Sequence, residues 1–160
     1  MDIRIGNGYD VHALAPGLPM FLGGIQIPSE TGFVAHSDGD VAIHALCDAI
    51  LGALALGDIG HLFPDSDPAY KGIDSKKLLA HVIGLAANDG WRLGNADITI
   101  ALQAPKLAPH IGLMRRTLAS VIGCDEARIS VKATTTEHLG FVGRGEGCEV
   151  WAAVLLVKSE

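Results

Sequence analysis

Three residues carry the first chemical signal in the chain. Asp10 and His12 stand one residue apart in G-Y-D-V-H, and His44 follows the polar run S-D-G-D in A-H-S-D-G-D-V-A-I-H-A-L. On a strand, residues i and i+2 share a face, so one carboxylate oxygen and one imidazole nitrogen would converge on one point. Adding a second imidazole from a helix gives Asp/His/His with a fourth position open to a substrate oxygen, the donor pattern of a catalytic zinc. A plainer reading stands beside it: D-x-H also arises by chance, and His44 among apolar neighbours could be a core histidine. Asp40, His44 and Asp48 repeat every four residues and share one helix face. Either aspartate could hold the non-ligating nitrogen of His44 or His12. Asp40 equally suits the first turn of a helix.

Two further segments have the chemistry of anion binding. In V-K-A-T-T-T-E-H-L-G-F-V-G-R-G-E-G, residues 131–147, Thr134, Thr135 and Thr136 offer hydroxyls and backbone N–H groups, and Lys132 and Arg144 add charge. Gly140, Gly143, Gly145 and Gly147 allow a ligand close to the backbone. Glu137 suits a hard divalent ion such as Mg²⁺ on phosphates. The segment lacks G-K-S/T and is not a P-loop. Q-A-P-K-L-A-P-H, residues 103–110, is stiffened by two prolines. Ala104 and Pro105 leave room for a flat base read by backbone groups, and Lys106 could meet a phosphate. In G-D-I-G-H, residues 57–61, Asp58 is an acceptor for a pair of sugar hydroxyls. His36 and Ser37 precede a helix, where its N-terminus favours a phosphate. Each segment also has a structural alternative: a strand end, a rigid connector, a turn or a helix cap. His61, His81, His110 and His138 read as surface or packing residues.

These groups need elements to position them. Residues 3–11 read as a strand and 20–27 as one or two edge strands around Gly23-Gly24. Ser37 or Asp38 can cap a helix over 40–56, so apolar that it needs burial on more than one side. Residues 57–70 read as a loop. Asp74 or Ser75 can cap a helix reaching Asn88, stopped by Asp89-Gly90. Strands follow at 95–103, 129–133 and 149–157, with a helix at 111–122 after Pro109 and a glycine-rich loop at 140–147. The expected fold is α+β: a single-domain sandwich over residues 1–160, with helices on one face of a mixed four-stranded sheet and a small edge hairpin.

Composition bounds the function. The chain has 160 residues, 49% of them apolar, and a formal charge of −6. That charge argues against a nucleic-acid or anionic-membrane partner, though not against one small anionic ligand. The three cysteines form no C-x-x-C and read as free thiols of a reducing compartment. The N-terminus lacks a leader pattern, and His44, Asp48 and Gly52 break the longest apolar helix, so a cytoplasmic location is expected.

The quoted segments, with A-H-S-D-G-D-V-A-I-H-A-L-C-D-A and G-D-I-G-H-L-F-P-D-S-D-P, resemble the 2-C-methyl-D-erythritol 2,4-cyclodiphosphate synthase family of the non-mevalonate isoprenoid pathway, from residue 8 to 147. The resemblance implies a metal-dependent phosphorus–oxygen lyase that converts the cytidine-diphosphate-linked methylerythritol 2-phosphate into the cyclic diphosphate and CMP. It implies a homotrimer with active sites between adjacent subunits and the three sheets around an apolar central channel. Asp10, His12 and His44 would be zinc ligands, one ion per subunit. Glu137 would meet a second ion, Mg²⁺ or Mn²⁺, on the diphosphate. His36 and Thr135 match transition-state stabilisers, and Ser37 would lie beside the methylerythritol. Asp58, Ile59 and Gly60 correspond to the ribose and substrate-contact region. Phe63, Pro64, Asp65, Ser66 and Asp67 resemble a segment closing over the methylerythritol. Leu102, Gln103, Ala104, Pro105, Lys106, Leu107, Ala133, Thr134, Thr135 and Thr136 resemble the cytidine pocket, supplied by the neighbouring subunit. Leu107 replaces a methionine of some members. Phe141 and Arg144 match residues lining the channel, where an isoprenoid diphosphate could bind. A hydrolase of nucleoside diphosphates and a non-catalytic isoprenoid-binding trimer are the rival readings.

Overall fold

Alternation of apolar and polar residues dictates a sheet with one packed face, and the computed structural model, which describes residues 2–64 and 66–159, shows one. Five strands run in the order β4-β1-β7-β5-β6: β1 is Ile3–Pro16, β4 Thr31–Phe33, β5 Trp91–Ala101, β6 Ile129–Thr134 and β7 Gly147–Lys158. β5 and β6 pair in parallel and every other pair is antiparallel, so the sheet is mixed. A separate hairpin joins β2 (Met20–Leu22) to β3 (Ile25–Ile27). The expected four strands become five because T-G-F, too short for a periodic signal, pairs with the far end of β1 through Leu14↔Phe33 and Pro16↔Thr31. β1 therefore runs past Val11, with His12 and Ala13 still on β7 and Leu14 to Pro16 on β4.

The helices cover one face. α1 (Val41–Ala53) lies against β1 and β7 and is covered in turn by α3 (Ser75–Asn88). Eleven of its 13 residues are buried, which accounts for a composition too apolar for a surface helix. Ile43, Leu46, Ile50 and Leu51 are wholly buried, and each contributes about 1.5–3 kcal/mol by leaving water. α4 (Ile111–Ile122) completes the layer and ends at Gly123, whose φ of 77° closes the helix. Asp40, rather than Ser37 or Asp38, caps α1: its carboxylate accepts from Ile43 N and also from Gly23 N and Gly24 N, tying the hairpin to the helix start. Asp74 caps α3. The loops expected at 57–70 and 140–147 contain short helices, α2 (Ile59–Leu62) and α5 (Gly140–Gly143), and a 3₁₀ turn at Pro68–Tyr70.

Close approach of α1 to β1 depends on two glycines. A Cβ at Gly6 would stand 1.9 Å from the Ala49 carbonyl oxygen, and one at Gly8 1.9 Å from that of Ala45. The opposite face of the sheet is bare: Ile3, Ile5, Tyr9, Val11 and Trp151 are all exposed, Ile5 to 79%. There Tyr9 and Trp151, paired across the ladder, bring their rings to 5.5 Å. Cys47 and Cys148 are buried free thiols whose ionisation burial suppresses. Among the described residues, no helix is long and apolar enough to cross a membrane.

Candidate metal and nucleotide sites

The alternation of β1 turns Asp10 and His12 toward the helical layer, and the ladder to β7 pins them opposite Val150 and Cys148. Gly8, on the same side of β1, lets α1 come close enough for His44 to reach them. Asp10 Oδ2 lies 3.0 Å from His12 Nε2 and 3.2 Å from His44 Nδ1, and the two nitrogens are 3.1 Å apart. Two donors on a tetrahedral zinc with bonds of about 2.0–2.2 Å stand about 3.3–3.6 Å apart. The observed triangle is slightly tighter, so the three atoms need to spread by only about 0.3 Å to take the ion. One carboxylate and two imidazoles suit a divalent transition ion, and all three residues line the cavity described below.

Electrostatics agree with that use. Burial alone would push the Asp10 carboxyl up, but hydrogen bonds and charge from His12 and His44 overturn it and hold the carboxyl at about 2. For His44, burial pulls the imidazole down, and the bond to Asp10 outweighs it, leaving a net upward shift. The carboxylate is therefore permanently ionised near neutrality, and a metal competes with a proton on His44.

The partners of the far ring nitrogens differ from expectation. Neither the Asp40 nor the Asp48 carboxylate bonds the His44 ring; Asp40 meets that residue only through the backbone, its carbonyl accepting from His44 N at 3.0 Å. Asp40 is spent on the three N–H groups at the helix start, and Asp48 accepts from Ile59 N at 2.8 Å, fixing α2 to α1. Burial raises the carboxyls of both. His44 Nε2 instead meets Ser75 Oγ at 2.9 Å and Ser37 Oγ at 3.3 Å. Sequence reasoning saw Ser75 only as a possible helix cap, because the contact spans 31 residues and has no local pattern.

A cavity of about 360 Å³ opens over the triangle. It brings together Asp10, His12, His36, Ser37, His44, Ile59, Gly60 and Phe63 from the expected set, and adds Asp48 and Tyr70. His36 Nε2 is buried without a hydrogen-bond partner, an orphaned polar atom of the kind a ligand satisfies. The Phe63 ring packs edge-on against Tyr70 and His81, at 5.3 and 5.4 Å, so His81, expected as a surface or packing residue, is exposed and packs behind Phe63. Asp58 lies outside the lining; it caps α2 by accepting from His61 N. Asp67 caps the turn at Pro68–Tyr70. Pro64 and Ser66 do not line the cavity, and Asp65 lies outside the described residues.

A second cavity, of about 250 Å³, gathers Leu102, Gln103, Pro105, Lys106, Leu107, Ala133, Thr134 and Thr135, with Ala108 and Ile111. Ala104 stands outside its lining but joins Pro105 through a cis peptide bond. Thr136, Glu137, Phe141 and Arg144 lie beyond it. Glu137 holds a left-handed backbone, φ 54°, and its Oε1 accepts from Thr135 Oγ1 at 3.3 Å. The Arg144 guanidinium forks onto Glu146 at 2.9 and 3.0 Å. The two cavities share no lining residue, so one chain keeps the metal triangle and the threonine segment apart.

The geometry has counterparts in known proteins. A family model described as the YgbB family matches residues 3–157. The 2-C-methyl-D-erythritol 2,4-cyclodiphosphate synthase of Alcanivorax borkumensis is 58% identical over 156 residues, 98% of each chain. Its namesake from Shewanella oneidensis is 60% identical over 158 residues, 99% of each chain. Among solved structures, the bifunctional IspDF from Campylobacter jejuni matches with a TM-score of 0.96 at 46% identity, over 99% of this chain and 43% of that one. IspF of Plasmodium falciparum, solved as a CDP complex, matches with a TM-score of 0.88 at 35% identity, over 99% of this chain and 97% of that one. Sequence match and superposition both run through the strands and helix that assemble the donor triangle, and the chain belongs to the YgbB family.

Proposed function

We infer that the chain is a 2-C-methyl-D-erythritol 2,4-cyclodiphosphate synthase, a metal-dependent phosphorus–oxygen lyase. The observation that carries this reading is the Asp10/His12/His44 triangle at the mouth of a cavity, in a chain that matches synthases of that name over nearly its whole length. The substrate is 4-diphosphocytidyl-2-C-methyl-D-erythritol 2-phosphate. An oxygen of its 2-phosphate attacks the β-phosphorus, the bond from that phosphorus to the oxygen shared with the CMP phosphate breaks, and CMP leaves with the electron pair.

The nucleophile is already an anion, so no residue need deprotonate it. What the protein must do is bring two anionic groups together and hold them in line. Asp10, His12 and His44 would hold zinc, one ion per subunit, and Glu137 a second ion, Mg²⁺ or Mn²⁺; bound there, the ions would neutralise and orient the diphosphate. His36, with its unpartnered Nε2, and the Thr135 hydroxyl would receive charge developing on the phosphoryl oxygens. Ser37 would contact the methylerythritol, with Phe63, Pro64, Asp65, Ser66 and Asp67 over it. Asp58, Ile59 and Gly60 would meet the ribose and diphosphate side. The cavity of Leu102, Gln103, Pro105, Lys106 and Leu107 would take the cytosine, with Ala104 and 133–136 along its edge.

Separation of the two cavities supports an active site completed by an adjacent subunit. The bare apolar face of Ile3, Ile5, Tyr9, Val11 and Trp151 supports a homotrimer packed through its sheets, with Phe141 and Arg144 toward a channel that could take an isoprenoid diphosphate. The test is ³¹P NMR of protein incubated with the cytidine substrate and Mg²⁺, with and without a zinc chelator. Coupled signals of a cyclic diphosphate beside CMP, lost on chelation, are expected. Open-chain phosphates with CMP would identify a hydrolase instead, and unchanged substrate with zinc-loaded protein a binding protein.

A further inference from the structure

We propose that Ser75 and Asp38 are positioning residues that fix the tautomer of His44 and so present its Nδ1 to the metal. The inference rests on the reading of Asp10, His12 and His44 as zinc ligands. Ser75, the first residue of α3, is wholly buried. Both oxygens of the Asp38 carboxylate are turned on it: Oδ2 accepts from Ser75 N at 2.9 Å and Oδ1 accepts from Ser75 Oγ. A serine hydroxyl has one proton, and an ionised carboxylate can only accept. The Ser75 proton is therefore committed to Asp38, and its oxygen meets His44 Nε2, 2.9 Å away, with a lone pair. Nε2 must carry the hydrogen.

A neutral imidazole protonated at Nε2 has a bare Nδ1, and Nδ1 is the nitrogen that faces Asp10 and His12. Ser37 Oγ, 3.3 Å from Nε2 and already accepting from Gly39 N, is a weaker second acceptor. The relay ties the start of α3 through the loop before α1 to a ring on α1, so ring rotation is restrained as well as tautomer. Such outer partners of a metal-bound histidine are worth about 10–100-fold in metal affinity.

The experiment strips zinc from the protein, restores it against a chromophoric chelator, and records long-range ¹H–¹⁵N spectra of the histidine rings in zinc-free and zinc-loaded protein. Ser75→Ala is expected to weaken zinc about 10–100-fold, with turnover recovering at saturating zinc. Asp38→Asn keeps the side-chain volume but lets its amide donate to Ser75 Oγ, which frees the serine proton for His44. It is expected to raise the Nδ1–H population of zinc-free His44. Wild-type zinc affinity in Ser75→Ala together with an unchanged His44 tautomer in Asp38→Asn would overturn the proposal. Zinc binding unaffected by His44→Ala would instead remove the metal site itself, and the positioning role with it.

Discussion

Replacing Gly8 with alanine should dismantle the donor triangle without touching any of its members. The new Cβ would lie 1.9 Å from the Ala45 carbonyl oxygen, 2.7 Å from Ala49 N and 3.0 Å from the Ala45 carbonyl carbon, all backbone atoms of α1 that cannot rotate away. Ordinary contact starts at 3.4 Å, so α1 must retreat from β1 by about 1.5 Å. His44 precedes Ala45 on that helix, while Asp10 follows Gly8 by two residues on the strand. The retreat therefore opens the two edges to His44, which now measure 3.1 and 3.2 Å, and leaves the Asp10–His12 edge on β1 as it is. Metal–ligand distances tolerate only about 0.2 Å, so the loss of zinc should be far larger than the loss of fold. Overpacking of this kind costs about 1–3 kcal/mol, within what a domain of this size withstands. Urea unfolding followed by circular dichroism gives the stability, and metal analysis after dialysis against zinc gives the site. Gly52→Ala is the control: it lies on the same helix, is exposed, and has Asn7 O as its nearest neighbour at 3.8 Å. It should keep full zinc and gain up to about 1 kcal/mol. A Gly8→Ala protein that binds one zinc per chain with wild-type affinity would mean that α1 can give way without moving His44.

Asp40→Ala leaves the N–H groups of Gly23, Gly24 and Ile43 without their acceptor; at about 1–3 kcal/mol per buried orphan, it should be the most destabilising single truncation outside the apolar core, read by thermal melting. Without a metal His44 is raised above 6.5, so its protonation stabilises the fold below that value and the contribution fades as pH rises through the raised value. A divalent ion on the triangle must displace that proton, so affinity for the proposed zinc should fall about ten-fold per pH unit once acidification passes it. Calorimetry in buffers of different ionisation enthalpy should show proton release. Asp10, held at about 2, should add nothing to that dependence above pH 4. Ile5→Asp puts a charge at a side chain 79% exposed on the bare sheet face; under the proposed trimer, light scattering should show separated protomers, with the metal retained and turnover lost with the assembly.

Much of the fold was legible because periodicity is local. The helix over 111–122 agrees with α4, and that ending at Asn88 with α3, because each carries its apolar stripe and its stop signal in its own residues. Asp10 and His12 were legible as a pair for the same reason: period two is a property of one strand. What escaped reading depends on residues far apart in the chain. β4 exists only because β1 continues past the site to meet it. Asp40 looked like a candidate partner for histidine until the hairpin, 16 and 17 residues upstream, claimed its oxygens. Ser75 has no pattern that ties it to His44. His36, Ser37, Ile59, Gly60 and Phe63 gather at the metal triangle, whereas Thr135 and the proline-stiffened loop line a different cavity. Local residue types pointed to each group, but their separation within one chain is a property of the fold.

The pairing of Tyr9 with Trp151 on the bare sheet face gives the molecule a built-in optical probe. The other tryptophan, Trp91, is buried between Arg4 and Lys158 and senses whether the chain is folded. Trp151 is 41% exposed and senses what covers the sheet. Emission from a protein with Trp151→Phe would follow folding, and emission from one with Trp91→Phe, in protein kept folded, would follow whatever covers the sheet face. Compared under one set of conditions, the two variants separate covering of the sheet from folding with the chain's own indoles.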